Sequence, residues 1–483
     1  MRFKVVNIGC KVNRVEVDAA SAQLIEQGAC MTRDADADIV IVNTCTVTAE
    51  ADKKTRKAVR AALRSNPAAQ LVVTGCAAVM NPAWFEELDE RVHVVAKPEV
   101  VSQSWELVET ATGAPGRGGL KELYSSGGAC KQAPILAENA PLAHFPGARI
   151  MLKQSSLGEM PTGHFSRCGT ARGTPSPGGP GDGNSLAFLE HDVALRTGSG
   201  FRTRVGIKVQ DGCNNACTYC IVHVARGESW SVPFEQVVAE ARAHALAGVR
   251  ELVLTGINLG AYDDGGRTLA DLLEALLEAC PGARFRIGSV EPLDVSDELI
   301  SLMAASDGRV CRHLHLPLQS GSSRVLSEMA RPYDAAYFLS LVEKLRAAMP
   351  ALSLSTDIIV GFPGETDEDF AETLRVARAS AFSKIHVFRY SRREGTPAAE
   401  RSDQVPAEVV AERSRQLQAL GLELGRDDAR HRLGTDEYVL VERVGQGTTE
   451  SYHPVRWTSS APAVGELVRI HLESLGRDGA FIV

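Results

Sequence analysis

The run D-G-C-N-N-A-C-T-Y-C at 211–220 sets Cys213, Cys217 and Cys220 in a C-x3-C-x2-C pattern. Three thiolates in one short loop can hold three corners of an iron–sulfur cube, leaving the fourth iron without a protein ligand. An open iron can bind a small molecule directly, which a four-cysteine electron carrier cannot offer. The spacing therefore points to radical chemistry at iron. Zinc is the competing occupant, but structural zinc usually takes paired C-x2-C units. No second such unit occurs in the chain, and His223 lies too close to close a finger loop in the usual way.

Cys10, Cys45 and Cys76 form a second candidate set, although they are far apart in sequence. Phe3 to Ile8 is an apolar run ending at Gly9-Cys10, D-I-V-I-V-N at 38–43 ends at Thr44-Cys45, and Leu71 to Thr74 ends at Gly75-Cys76. Helical spacing covers Val15 to Gln27 and Glu50 to Ser65. Residues 1–110 thus read as a small parallel α/β domain. Each cysteine stands just past a strand C-terminus, the edge where open α/β sheets bind ligands. One cysteine there would be an ordinary small buried residue; three at equivalent ends favour a second metal site.

The C-x3-C-x2-C loop needs a scaffold of its own. Strands are expected at Arg204–Gln210, Glu251–Thr255, Arg284–Ile287, His313–Leu316, Leu352–Ile359 and Lys384–Phe388, with amphipathic helices such as Phe234–Ala247 and Asp367–Ser380 between them. Six β/α units make a partial barrel whose functional loops lie at the strand C-termini. The cysteine loop follows the first strand and so sits at that mouth. Residues 200–432 form this barrel with a closing charged helix over 404–432. Residues 436–483 read as short strands with Gly turns, a small antiparallel barrel.

Residues 112–199 are rich in Gly, Pro and Ser and read as a mostly disordered insertion, with Cys130, Cys168, His144, His164 and His191 as bystanders. The chain has 11 cysteines, which in a cytosolic protein argue for metal or catalysis over disulfides. The N-terminus lacks the apolar region of a signal peptide, and no run of 18 apolar residues occurs, so a cytoplasmic protein without membrane contact is expected. A net charge of −8 disfavours nucleic-acid binding by the whole surface. Any such partner needs a local basic patch. Lys53, Lys54, Arg56, Lys57, Arg60 and Arg64 supply one on a single helix. They could track RNA phosphates, or form an ordinary solvated face.

The stretches N-I-G-C-K-V-N (7–13), V-N-T-C-T-V-T-A-E-A-D-K-K-T-R-K (42–57), V-T-G-C-A-A (73–78) and V-Q-D-G-C-N-N-A-C-T-Y-C-I-V (209–222) resemble the radical S-adenosylmethionine methylthiotransferases. The likeness continues in L-T-G-I-N-L-G (254–260), L-H-L-P-L-Q-S-G-S (314–322), T-D-I-I-V-G-F-P-G-E-T (356–366) and H-V-F-R-Y-S-R-R-E-G-T (386–396). G-C-K-V-N and N-T-C-T-V-T-A-E-A-D look most like the branch acting on N6-threonylcarbamoyladenosine beside the tRNA anticodon. The isopentenyladenosine branch, and the branch acting on an aspartate of a ribosomal protein, usually differ there.

The resemblance implies two [4Fe–4S] clusters, one on Cys213, Cys217 and Cys220 that chelates S-adenosylmethionine, and an auxiliary one on Cys10, Cys45 and Cys76 that handles sulfur. One S-adenosylmethionine would methylate that sulfur; another would yield the 5′-deoxyadenosyl radical that attacks adenine C2–H. It implies tRNA as substrate and a reductant such as flavodoxin or ferredoxin; nothing in the sequence demands a dimer, so a monomer is expected. Cofactor contacts are implied for Tyr219, Gly256, Asn258, Ser289, Glu291 and Gln319. Physically, Tyr219 could equally be a core aromatic, Gly256 could serve a tight turn, and Ser320 or Ser322 could cap the helix after Gln319. Lys53, Arg56, Lys57, Arg60 and Arg226 are candidate RNA contacts, though Arg226 could instead pair with a structural carboxylate. The C-terminal module resembles the RNA-binding TRAM domain, yet residues 436–483 hold seven Asp or Glu against four Arg and no Lys. Tyr452, His453 and Trp457 could stack on bases or fill the barrel.

Overall fold

Alternation along single strands sets the N-terminal architecture. In the strand Ile39–Thr44, every residue is buried. Ile39 and Ile41 join one apolar cluster with Phe3, Leu24 and Trp105, while Val40 and Val42 join another with Val59, Leu71 and Phe85. A strand apolar on both faces belongs inside a parallel sheet covered by helices on both sides. The computed structural model, which describes residues 1–33, 36–46, 48–112, 196–197 and 201–483, has that sheet. Its order is Cys30–Met31, Arg2–Asn7, Ile39–Thr44, Gln70–Gly75, Val92–Val94, all parallel. The edge strands Cys30–Met31 and Val92–Val94 were too short to stand out in the sequence.

The barrel strands are Arg204–Lys208, Glu251–Thr255, Arg284–Ile287, His313–His315, Ser353–Val360 and Lys384–Arg389. They form two parallel three-stranded sheets, joined by bridges from Phe285 to Val310 and from Ser289 to His315. Helices are started where the strand loops end. Thr268 and Asp271 make a reciprocal capping box, as do Thr366 and Asp369. The helix Ala407–His431 lies against the last strand, with Leu417, Leu420 and Leu424 in the same apolar cluster as Ile385 and Val387.

All described residues fall in one compact unit. The first helix, Lys11–Glu26, runs along the first barrel strand. Gly206 permits this approach, because a Cβ there would collide with Val15.

The C-terminal module is a six-stranded sheet, antiparallel except where Pro454–Arg456 pairs in parallel with Phe481–Ile482. It is docked on the barrel by buried arginines. Arg284 Nη1 donates to the Tyr438 carbonyl at 3.0 Å, and Arg286 Nη1 donates to that of Glu450 at 2.9 Å. Both guanidinium groups also hold Glu251, through Nε donors at 2.7 Å. Such a triad is tolerable in a dry interior only because its remaining protons find acceptors. Those acceptors pull the 449–453 turn inward. Tyr452 takes φ +75° and stacks on His313 at 4.9 Å between ring centroids. His453 is buried against Asp428 at 2.7 Å, and Trp457 packs on the module's core. Of the three aromatics named as base-stacking candidates, His453 is buried, and Tyr452 and Trp457 are half-buried against partners of the protein itself.

The insertion expected over 112–199, with Cys130, Cys168, His144, His164 and His191, lies outside the described residues except for Thr112, Arg196 and Thr197. Arg196 is buried and donates to the Gly206 carbonyl at 2.9 Å.

Candidate active site

The first strand feeds a loop closed by the short pair Gln210–Asp211 and Trp230–Ser231. Gly212 opens it at φ +71°, with no room for a Cβ beside the Glu228 carbonyl. Thr218 fixes the loop at its centre. Its N–H donates to the Met329 carbonyl at 3.1 Å, its hydroxyl to that of Glu328 at 2.9 Å, and its carbonyl accepts from the Ala398 N–H at 2.9 Å.

Each sulfur in the loop receives an N–H. Asn215 donates to Cys213 Sγ and Val222 to Cys220 Sγ, both at 3.4 Å, and Arg331 Nη1 donates to Cys217 Sγ at 3.2 Å. Burial pushes the Cys220 thiol up to about 11, reinforced by Cys217 and Cys213 and opposed by the Val222 N–H. Sulfurs that are desolvated but supplied with N–H donors suit metal-bound thiolates. Among the described residues, only His315, Asp357 and His386 bring three donors within 4.8 Å of one another.

Register brings the second trio together. Asn43 pairs with Asn7 and with Thr74, and Thr44 pairs with Gly75, so Cys10, Cys45 and Cys76 leave one edge of the sheet. Asn13 is the buried tie between them. Its Nδ2 donates to the Thr44 carbonyl at 2.8 Å, and its carbonyl accepts from Asn43 Nδ2 at 2.6 Å. Cys10 Sγ lies 3.9 Å from Asn13 Oδ1. Thr55 Oγ1 donates to the Cys45 carbonyl at 3.3 Å, and Thr44 Oγ1 accepts from the Ala78 N–H at 3.1 Å.

The two trios are neighbours. The helix Cys76–Met80 packs on the helix Val222–Arg226, which follows Cys220. Arg226 sits between them, its side chain only 3% exposed, with Nη1 donating to Glu16 at 2.8 Å and Asp211 at 3.0 Å. Its Nη2 donates to Asn13 Oδ1, and Cys76 and Cys10 lie within its electrostatic reach. Arg226 therefore does not face a nucleic acid; the carboxylates and Asn13 take the donors on both Nη atoms, while Nε is buried with no partner among the described residues.

Comparison with known proteins agrees with this layout. The Radical SAM superfamily profile matches residues 207–377, and that of the Uncharacterized protein family UPF0004 matches 2–97. The threonylcarbamoyladenosine tRNA methylthiotransferase MtaB of Chlamydia pneumoniae is 34% identical, over 99% of this chain and 96% of its own length. The MtaB of Bacillus subtilis (strain 168) is 32% identical over 98% and 95%. The tRNA-2-methylthio-N(6)-dimethylallyladenosine synthase of Nocardia farcinica is 34% identical over 91% and 77%. This chain belongs to the methylthiotransferase family.

The remaining candidate residues of this methylthiotransferase divide clearly. Gln210 Oε1 accepts from the Asn258 N–H at 2.8 Å, and a Cβ on Gly256 would press on the same side chain. Asn258 is buried, and its Oδ1 has no partner among the described residues. That leaves an acceptor free for an amino group. Ser289 is half-buried and bridges to the His315 strand through its backbone. Glu291 is ion-paired to Arg331, and burial raises its carboxyl. Gln319 takes φ +64°, its N–H donating to the Asp357 carbonyl at 2.8 Å. Ser322, not Ser320, caps the following helix by accepting from the Val325 N–H at 3.3 Å. Tyr219 packs with Val325, Met329, Phe362 and Ala398.

Lys53, Arg56, Lys57, Arg60 and Arg64 line one open groove on the helix Ala49–Ser65, and all are exposed. Arg56 and Arg60 lie over the Trp84 ring, at 4.7 and 5.9 Å. Arg331 and Asn13 were missed from sequence. Arg331 touches a cysteine 114 positions away, and no local pattern marks such a contact.

Proposed function

We propose that this chain installs a methylthio group on C2 of N6-threonylcarbamoyladenosine beside the anticodon of tRNA. The observation that carries the reading is the pair of cysteine trios held side by side around Arg226, in a chain aligned end to end with enzymes named for that reaction. Cys213, Cys217 and Cys220 would hold one [4Fe–4S] cluster, and Cys10, Cys45 and Cys76 the other. Bound with S-adenosylmethionine, these groups supply hydrogen abstraction, sulfur and a methyl group.

The chain's own residues do the positioning. The loop amides and Arg331 stabilise charge on the first trio's sulfurs. The Asn258 Oδ1 is an acceptor for the cofactor's amino group, and Glu291 and Gln319 lie along the same mouth. Tyr219 gives the first trio an apolar flank. The groove from Lys53 to Arg64 provides cations for RNA phosphates, with Trp84 stiffening Arg56 and Arg60. Electrons would come from a small reductant of the flavodoxin or ferredoxin kind, and one copy of the chain carries all these groups.

The test is mass spectrometry of nucleosides from tRNA incubated anaerobically with reconstituted protein, reductant and S-adenosylmethionine. A methylthio adduct on threonylcarbamoyladenosine is expected. An adduct on isopentenyladenosine alone, or cofactor cleavage without any tRNA adduct, would overturn the substrate assignment.

A further inference from the structure

Polar side chains line the barrel interior where the proposed chemistry needs only a dry wall. His313, His315, Ser355, Asp357 and His386 come from three neighbouring strands, with His315 in register with Ser355 and Asp357 with His386. The Ser355 hydroxyl lies 2.9 Å from both His313 Nε2 and His315 Nδ1. A hydroxyl has one proton to give. Burial keeps His313 neutral, and its Nδ1 has no partner among the described residues. Its proton therefore belongs on Nε2, donated to Ser355, which donates in turn to His315 Nδ1. That leaves a proton on His315 Nε2, 3.3 Å from Asp357 Oδ1. Asp357 is thereby oriented, yet its side chain remains 30% exposed, with acceptor capacity to spare.

Lys11 reaches the same chamber from the N-terminal domain. Its ammonium lies 5.9 Å from the centre of the Tyr452 ring and within electrostatic reach of Asp357, His313 and His386. The two arginines beside it are already committed, Arg204 to Glu442 and Arg286 to Glu251. Lys11 has no ion pair among the described residues and keeps an exposed surface. It is also the residue after Cys10, so the chamber adjoins the sulfur-handling trio.

We propose that Lys11, Asp357, His315 and His386 form the receptor for the polar N6 substituent of the reacting adenosine. Lys11 meets the threonyl carboxylate, and Asp357, held by His315, accepts from the hydroxyl or carbamoyl N–H. This rests on the substrate reading above and names the residues that would enforce it. The geometry of adenine supports the placement, because C2 and C6, the carbon that bears N6, flank the same ring nitrogen. A site gripping the N6 substituent beside Cys10 therefore presents C2 to the second trio. An isopentenyl group offers neither charge nor donors and would leave Lys11 and Asp357 unpaired.

The test measures binding of short anticodon stem–loops to the reconstituted protein, carrying threonylcarbamoyladenosine, its methyl ester, or plain adenosine. Wild type should prefer the acid to the ester by about tenfold or more, the scale of one charge-assisted hydrogen bond. Lys11→Gln should bind acid and ester alike while keeping wild-type affinity for the plain stem–loop, and Lys11→Arg should restore the preference. An undiminished preference in Lys11→Gln overturns the proposal. Should that variant fail to fold, equal binding of acid and ester by wild type overturns it instead. A wild type that favours an isopentenyladenosine stem–loop refutes the substrate reading itself, a separate failure.

Discussion

Arg226 Nη1 and Glu16 Oε1 meet at 2.8 Å, and with that contact the first helix of the N-terminal domain is tied to the short helix that follows the barrel's cysteine loop. Glu16 also receives Lys97 at 2.7 Å and Lys208 at 3.3 Å, and Asp211 shares both Arg226 and Lys208. The spacing between the two cysteine trios is thus set by a buried ionic knot.

Such a knot is fragile to the removal of one member. Arg226→Met removes the most buried cation and should destabilise the protein by up to roughly 3 kcal/mol, the loss being tempered because Glu16 keeps Lys97 and Lys208 and Asp211 keeps Lys208. The double variant Arg226→Met/Glu16→Gln should cost less than the sum of the two single changes. Denaturant unfolding of the four proteins checks this, and strict additivity would show that the pair is uncoupled.

The trios should load independently. Changing Cys10, Cys45 and Cys76 together to alanine should remove about half of the iron and leave an electron paramagnetic resonance signal that S-adenosylmethionine perturbs. The same change at Cys213, Cys217 and Cys220 should also halve the iron but leave a signal indifferent to S-adenosylmethionine. Loss of all iron from either triple variant would contradict two separate sites.

Arg331 donates to Cys217 Sγ at 3.2 Å from a buried position and carries a full charge. Hydrogen bonds and charge at the sulfurs help set a cluster's potential. Arg331→Met should lower the potential of the first cluster, because the reduced form carries the extra negative charge that Arg331 now stabilises. A redox titration followed by electron paramagnetic resonance reads this directly. An unchanged potential would reduce Arg331 to a packing residue.

His244 is fully buried, and neither ring nitrogen has a partner among the described residues. Burial, helped by Arg196, lowers its pKa to about 3. The unfolded chain takes up that proton near the ordinary value of about 6.5, whereas the native state resists it. This contribution to stability is therefore full above about pH 6.5 and is lost as pH falls toward 3. Between pH 6.5 and 5 the loss should be about 2 kcal/mol. His244→Leu should lack that part of the acid sensitivity in denaturant titrations at both pH values.

What was legible in the sequence follows from how local the signals are. Glu251–Thr255 and Arg284–Ile287 were readable to the residue because short strand-forming runs end there in glycine. The placement of the six cysteines was readable, three at strand ends and three within one loop, because both are local features. The first helix begins at Lys11, ahead of the expected Val15, since Asn13 is buried by bonding Thr44 and not by being apolar. For Arg226 and Tyr452 the sequence left an RNA contact and an internal partner both open, for a related reason. Their partners, Glu16 for one and the His313 ring for the other, are brought in by tertiary packing that no local pattern encodes.

The basic groove makes the last prediction. Lys53, Lys57 and Arg64 are exposed and have no carboxylate partner among the described residues, whereas Lys54 lies 3.6 Å from Glu50. A cation that neutralises a phosphate releases a counterion, and each such contact steepens the salt dependence of binding by about 0.7–0.9 in the log–log slope. Lys53→Ala/Lys57→Ala/Arg64→Ala should therefore weaken tRNA binding and flatten that slope by roughly 2. Lys54→Ala should leave it nearly unchanged. The loss should be the same for tRNA with or without the threonylcarbamoyl group, because phosphates carry no information about the base. A triple variant with wild-type slope would make this helix an ordinary solvated face and move the RNA contact elsewhere.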